Sequence, residues 1–96
     1  MSRSILFVDD EPHLLAGLRR MLRFKRGEWE MAFASSGEEA LAVMAQAPVD
    51  VVVSDMRMPG MDGRAVLKWI AEHQPDVDVL MLTGHGDVKD AVDAIK

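Results

Sequence analysis

Carboxylates that follow two short apolar runs are the residues best suited to chemistry in this sequence. Asp9 and Asp10 come directly after the apolar residues 5–8, and Asp55 follows the largely apolar residues 49–53 and Ser54. If the three carboxylates lie about 5 Å apart at an effective dielectric constant near 20, each pair repels by roughly 3 kcal/mol. A divalent cation would relieve this repulsion. Oxygen ligands without a neighbouring His or Cys select a hard ion, and a site with few protein ligands suits Mg²⁺ better than Ca²⁺.

The acidic pair also has a simpler interpretation. Acidic residues near a helix N-terminus offset the helix dipole, and the segment Asp10-Glu11-Pro12 is typical of such a start. Asp55 by itself could begin an ordinary loop. From these residues alone, a metal site and a helix cap are both open interpretations of the pair.

Two glycine-containing segments follow the later apolar runs. Residues 59–63 contain the dipeptides Pro-Gly and Asp-Gly, which predict two turns that aim backbone N–H groups back at the strand end, where they could hold phosphate oxygens. A plain loop is the alternative. Residues 83–86, Thr-Gly-His-Gly, offer a hydroxyl and a close approach of the backbone to an anion, but taken alone they favour a simple left-handed turn.

The apolar runs predict the strands that must position these side chains. They cover residues 5–8, 29–34, 49–53 and 77–82, and most are continuous rather than alternating, which is typical of strands covered on both faces. The second run alternates with polar residues and is therefore predicted as an edge strand.

Helical spacing fills the segments between these runs. The first helix begins near Pro12, with Leu14, Leu15, Leu18, Met21 and Leu22 on one face; the second begins at a capping box of Ser36 and Glu39. The third ends near Pro75, and a fourth runs from Val88 to the end of the sequence. This alternation predicts an α/β fold with a doubly wound parallel sheet and right-handed crossovers. Such sheets bind ligands at the carboxyl ends of their strands.

Composition excludes several classes of protein. Ninety-six residues make one domain. Eleven basic residues against 16 acidic ones, with no basic stripe, argue against binding of nucleic acid or an anionic membrane surface. The absence of cysteine excludes disulfides and thiolate zinc sites. No apolar run is long enough to span a bilayer or to form a signal peptide, so we expect a cytoplasmic domain.

Three segments together closely resemble the receiver domain of bacterial two-component response regulators. They are Ile-Leu-Phe-Val-Asp-Asp-Glu-Pro at 5–12, Val-Val-Val-Ser-Asp-Met-Arg-Met-Pro-Gly-Met-Asp-Gly at 51–63 and Leu-Thr-Gly-His-Gly-Asp-Val at 82–88. The resemblance covers all 96 residues. It implies a flavodoxin-like sheet with strand order 2-1-3-4-5.

The resemblance also implies a role for each candidate residue. Asp55 would accept a phosphoryl group from a sensor histidine kinase, forming an acyl phosphate, and Thr83 would be the switch hydroxyl that moves to bind it. Asp9, Asp10, Asp55 and the backbone carbonyl of Arg57 would hold Mg²⁺. The remaining implied positions are the phosphate-contacting N–H groups near Met56, Arg57 and Gly84, and the two side chains that tune phosphate lifetime, Arg57 and His85.

The sequence departs from the family pattern at its C-terminal end, because it stops before strand 5, the lysine that follows it and helix 5. We therefore expect residues 1–96 to be an incomplete receiver domain, with an output domain, if any, beyond it. Three explanations of the missing part stay open: disorder, removal, or supply by a second copy in a swapped homodimer. A receiver is a signalling module whose chemistry is limited to its own phosphorylation and dephosphorylation, not an enzyme.

Two alternatives stay open. One is a pseudo-receiver that keeps the fold as an interaction domain without phosphotransfer. The other is a Mg²⁺-dependent phosphohydrolase that uses Asp55 as its nucleophile. Haloacid-dehalogenase-like phosphatases have a second acid two residues after the nucleophile, and Arg57 at that position disfavours this alternative.

Overall fold

Strands and helices alternate in the computed structural model, which describes residues 3–23, 28–55, 58 and 60–82. The strands are β1 (Arg3–Val8), β2 (Trp29–Ala34), β3 (Val51–Asp55) and β4 (Asp78–Leu82), and the helices are α1 (Pro12–Met21), α2 (Gly37–Gln46) and α3 (Gly63–His73). The alternation predicted from the sequence is confirmed across these elements. The predicted fourth helix lies outside the described residues.

The four strands form one parallel sheet in the order β2-β1-β3-β4. This is the order implied by the resemblance for its first four strands, and β2 lies at an edge of the described sheet, as its alternating pattern predicted. Phe7 in β1 is level with Phe33 in β2 and Val53 in β3. Since all the strands run the same way, their carboxyl ends lie along one edge.

The central strand β1 is buried on both faces. Ile5 and Phe7 pack with the apolar stripe of α1, whereas Leu6 and Val8 pack with residues of α2 and α3. Each of these four side chains is at most 1% exposed. The continuous apolar pattern of residues 5–8 therefore predicted their environment correctly.

Met21 is a correction to the predicted apolar face of α1. Its side chain is 50% exposed, whereas Leu15, Leu18 and Leu22 are buried. At about 100° per residue, Met21 falls at the rim of the stripe that these three leucines define. The helical spacing predicted for the apolar face of α1 was therefore correct, but the predicted face was too wide because it included Met21.

The bounds of β3 also differ from the prediction of residues 49–53. Before the strand, the Asp50 N–H donates to the Ser4 carbonyl and the Asp50 carboxylate accepts the Ser4 N–H, both at 2.8 Å. The strand then runs through Ser54 and ends at Asp55, which pairs with Leu82. Asp55 is thus the last residue of a strand and not the first of a loop.

No helix in the described part of the chain is both long and apolar enough to cross a membrane.

Candidate functional site

Three carboxylates converge at the carboxyl edge of the sheet. One carboxylate oxygen from each of Asp9, Asp10 and Asp55 lies within 4.8 Å of the others. Asp9 and Asp10 follow β1, and Asp55 ends the neighbouring strand β3. We call these residues the acidic triad. The parallel pairing of two adjacent strands is what brings them together.

Asp9 combines membership of the triad with a role in starting α1. It is only 3% exposed; its N–H donates to the Ala34 carbonyl at 3.1 Å, and its Oδ1 accepts the Glu11 N–H at 2.8 Å. The N-cap itself is Glu11, whose carboxylate accepts the His13 N–H at 3.3 Å. The capping and metal-site interpretations are therefore compatible, because a carboxylate has two oxygens and several acceptor positions.

The three carboxylates differ in burial. Asp9 is buried, Asp55 is partly buried and Asp10 is exposed. At the observed spacing, each pair of negative charges repels by roughly 3 kcal/mol at an effective dielectric constant near 20, and solvent screens the pairs that include Asp10 more strongly. A donor set made only of carboxylate oxygens fits a hard divalent cation.

Gly60 and Asp62 lie in the described part of the segment between Asp55 and α3. Gly60 has a positive φ of 74°, a conformation that glycine adopts without steric cost. Asp62 is the N-cap of α3, and its Oδ1 accepts the Ala65 N–H at 3.0 Å. Of the predicted turn at Pro59-Gly60, Gly60 has the left-handed conformation that such a turn uses, and Pro59 lies outside the described residues. Asp62-Gly63 begins a helix and does not form a second turn.

The start of α2 also contacts this segment, and the sequence patterns did not predict it. Glu38, in the first turn of α2, accepts the Met61 N–H at 3.1 Å through its Oε1. The two residues are 23 positions apart, so no local pattern links them. Ser36 and Glu39 were identified as the helix start, and they are both engaged there: the Ser36 Oγ accepts the Glu39 N–H at 3.1 Å.

Several predicted site positions lie outside the described residues. These are the switch hydroxyl of Thr83, the backbone groups of Met56, Arg57 and Gly84, and the side chains of Arg57 and His85. Of the predicted site residues, Asp9, Asp10 and Asp55 lie in the described part of the chain, and their carboxylates are close together there.

Comparison with known proteins identifies the family. Residues 5–96 match the family described as the response regulator receiver domain. The chain is 42% identical over 90 residues to the transcriptional regulatory protein GlrR of Escherichia coli (strain K12), covering 94% of this chain and 20% of GlrR.

Solved structures agree with this match. A response regulator receiver domain protein from Clostridium thermocellum has a TM-score of 0.77 and 35% identity, covering 97% of this chain and 74% of that one. A structure described as an adenylate cyclase from Rhodopirellula baltica has a TM-score of 0.78 and 40% identity, covering 99% of this chain and 69% of that one. The chain spans only a fifth of the length of GlrR, so the likeness to that regulator concerns one part of it.

Proposed function

The chain belongs to the response regulator receiver domain family, and from this premise we propose that it is a phosphoacceptor in which Asp55 takes a phosphoryl group from a sensor histidine kinase. Receiver domains of this family are signalling domains of two-component systems. The observation that carries the proposal is the acidic triad, in which Asp55 ends β3 within 4.8 Å of two further carboxylates.

Asp55 has the chemistry that the proposed transfer needs. A carboxylate oxygen of Asp55 attacks the phosphorus of the kinase phosphohistidine, a P–O bond forms and the P–N bond breaks. The leaving imidazole takes up a proton and becomes neutral. The product on Asp55 is an acyl phosphate. The strand position of Asp55 supports this role, because backbone pairing with Leu82 restricts the direction from which its carboxylate is presented.

The acidic triad would hold Mg²⁺, with the backbone carbonyl of Arg57 as a further ligand. When bound, Mg²⁺ supplies positive charge that offsets the repulsion between the carboxylates and an incoming phosphoryl group. The all-oxygen donor set supports this choice over Zn²⁺, which takes nitrogen and sulfur ligands more readily.

The proposed switch uses residues that follow β4 and β3. The Thr83 hydroxyl would bind the phosphoryl group, assisted by N–H groups near Met56, Arg57 and Gly84. A phosphoryl group brings a charge of roughly −1.5 to −2, so it stabilises the arrangement in which these donors face it. The side chains of Arg57 and His85 would tune the lifetime of the acyl phosphate.

The names of two similar proteins indicate different activities. GlrR is named as a transcriptional regulatory protein, and the Rhodopirellula baltica protein is named as an adenylate cyclase. What they share with this chain is the receiver. We therefore propose phosphoryl acceptance and signalling as the function of this part, acting on an output domain of the parent protein, and not catalysis of a multiple-turnover reaction.

Acetyl phosphate tests the proposal directly. The wild-type protein is incubated with it, with and without Mg²⁺, beside Asp55→Asn, and the intact mass is recorded. We expect a Mg²⁺-dependent phosphoryl adduct that hydroxylamine removes and that Asp55→Asn lacks. The absence of an adduct on the wild type would favour the pseudo-receiver alternative. Steady hydrolysis of phosphate esters by the wild type, lost in Asp55→Asn, would favour the phosphohydrolase.

A further inference from the structure

The start of α2 holds the described part of the loop between β3 and α3. Glu38 lies in the first turn of α2, and its carboxylate accepts the Met61 N–H at 3.1 Å. The Glu38 oxygens also lie against Gly60, since a Cβ added to that glycine would meet them at 3.6 and 3.7 Å. One side chain of α2 is thus in reach of two consecutive residues of the loop.

Gly37 provides a second, independent contact with the same loop. A Cβ added at Gly37 would lie 2.6 Å from the Met61 carbonyl oxygen and 2.8 and 2.9 Å from its side chain. Real Cβ atoms do not approach a backbone oxygen this closely, so the helix start and the loop pack at a distance that only glycine permits here. Met61 is therefore held through its N–H by Glu38 and covered at its carbonyl by Gly37.

The neighbouring residue, Glu39, makes different contacts from those of Glu38. The Glu39 carboxylate accepts the Ser35 N–H at 3.2 Å and the Ser35 hydroxyl at 2.8 Å. Glu39 thus stabilises the entry to its own helix, whereas Glu38 reaches another element. The two side chains are adjacent in sequence and both exposed, so they can be separated by mutation without opening the core.

The held loop is the one that begins directly after Asp55. Met58 is buried in the core below it, and Asp62 fixes its far end by capping α3. Between those two anchors, the contacts of Glu38 and Gly37 act on Gly60 and Met61. Gly60 and Met61 belong to the short connection between Asp55 and α3, so the contacts that hold them act on the chain five and six residues after the proposed phosphoacceptor.

We propose that Glu38 is a positioning residue for phosphoryl acceptance at Asp55, acting through its hydrogen bond to Met61 and the loop that follows β3. This inference rests on the proposed function. The hydrogen bond of Glu38 is made to the loop backbone and not to a carboxylate of the acidic triad, so its effect is on the geometry of the loop and not on the reacting atoms.

Three substitutions of Glu38 separate the hydrogen bond from the charge. Glu38→Gln keeps an acceptor oxygen at the same reach and removes the charge. Glu38→Asp keeps the charge at the helix N-terminus, where it offsets the dipole, but is one methylene shorter. Glu38→Ala removes both. Glu72→Ala, on the exposed surface of α3, is the matched control.

The readouts are the rate of adduct formation with acetyl phosphate and Mg²⁺, and hydrogen exchange at the Met61 amide. We expect Glu38→Ala and Glu38→Asp to slow adduct formation by roughly three- to tenfold, because small misplacements of positioning groups reduce rates by up to about 100-fold. The Met61 amide should exchange faster in both. Glu38→Gln and Glu72→Ala should match the wild type in both measurements.

Other outcomes would overturn the proposal in distinguishable ways. Equal rates for all variants would remove the positioning role and leave phosphorylation of Asp55 intact. A normal rate for Glu38→Asp with a slow one for Glu38→Gln would show that charge is responsible and not the hydrogen bond. If the wild type itself forms no adduct, the proposed function fails, and the positioning role fails with it.

Discussion

Val8 of β1 lies opposite Ser54 of β3 in the parallel ladder, and each is followed by a member of the acidic triad. Asp9 and Asp55 are therefore neighbours because their strands are neighbours in this register. Ser54 is fully buried, and its hydroxyl donates to the Asp55 carbonyl at 3.0 Å. The buried hydroxyl of Ser54 therefore has a hydrogen-bond partner in the backbone of the next residue, beside the acidic triad.

Removal of the Asp55 charge should stabilise the protein in the absence of divalent cations. We expect Asp55→Asn to raise the free energy of unfolding by about 1–2 kcal/mol in EDTA, because two like-charge repulsions of roughly 3 kcal/mol each, reduced by screening, disappear. Urea denaturation measures this change. The gain should shrink in millimolar Mg²⁺. Asp76→Asn, on an exposed turn, is the control and should leave stability unchanged. A less stable Asp55→Asn protein in EDTA would contradict the repulsion argument.

Asp9 and Asp10 should differ in their effects on folding but not on metal binding. Asp9→Ala removes the acceptor of the Glu11 N–H, so in EDTA it should be about 1–2 kcal/mol less stable than Asp10→Ala, which also removes one triad charge but at an exposed position. Both should weaken Mg²⁺ binding by about tenfold or more, measured by calorimetric titration. Equal stabilities of Asp9→Ala and Asp10→Ala would show that the hydrogen bond from Glu11 to Asp9 contributes little.

Two glycines should respond in opposite directions to the same substitution. Gly37→Ala places a Cβ 2.6 Å from the Met61 carbonyl oxygen, and we expect a loss of about 1–3 kcal/mol in unfolding free energy. Gly17→Ala, inside α1 with nothing within 4 Å of the added Cβ, should gain about 0.5–1 kcal/mol from helix propensity. Thermal unfolding of the pair is the measurement. A harmless Gly37→Ala would mean that the loop can move away from α2 at little cost.

The N-cap of α3 should contribute measurably to stability. Asp62→Ala removes the acceptor of the Ala65 N–H at the helix start, with an expected loss of about 1 kcal/mol. Asp62→Asn retains a capping oxygen and should lose only a few tenths of that value. Urea midpoints of the two variants, compared at equal m-values, test the assignment; equal losses for both would point to the charge of Asp62 instead of its hydrogen bond.

The sequence predicted the elements of the fold well where burial follows apolarity. Residues 5–8 are continuous in apolar character and lie in a strand buried on both faces, and β2 alternates and lies at an edge of the sheet formed by the described residues. The strand order came only from the family resemblance, because periodicity describes one strand at a time. The end of β3 was missed because Ser54 and Asp55 are polar, although Ser54 has no exposed surface.

The acidic triad could be predicted because parallel strands deliver the residues at their carboxyl ends to a single edge. The contact of Glu38 with Met61 could not, since 23 residues of chain separate them and both belong to ordinary helix-start and loop patterns. Asp62-Gly63 illustrates a different limit. The same dipeptide is compatible with a turn and with an N-cap, and the choice depends on where the following helix packs.

The hydrogen bonds between Asp50 and Ser4 have a consequence for the opposite edge of the sheet. They align the amino ends of β1 and β3, four residues and roughly 13 Å of strand away from Val8 and Ser54. A shift of two residues between these strands would leave the same side chains on the same faces of the sheet. It would nevertheless displace Asp9 by about 6.6 Å relative to Asp55, measured along the strands. The spacing of the carboxylates is thus partly determined at the end of the sheet that they do not occupy, so damage to that remote alignment would be observed as a defect in cation binding.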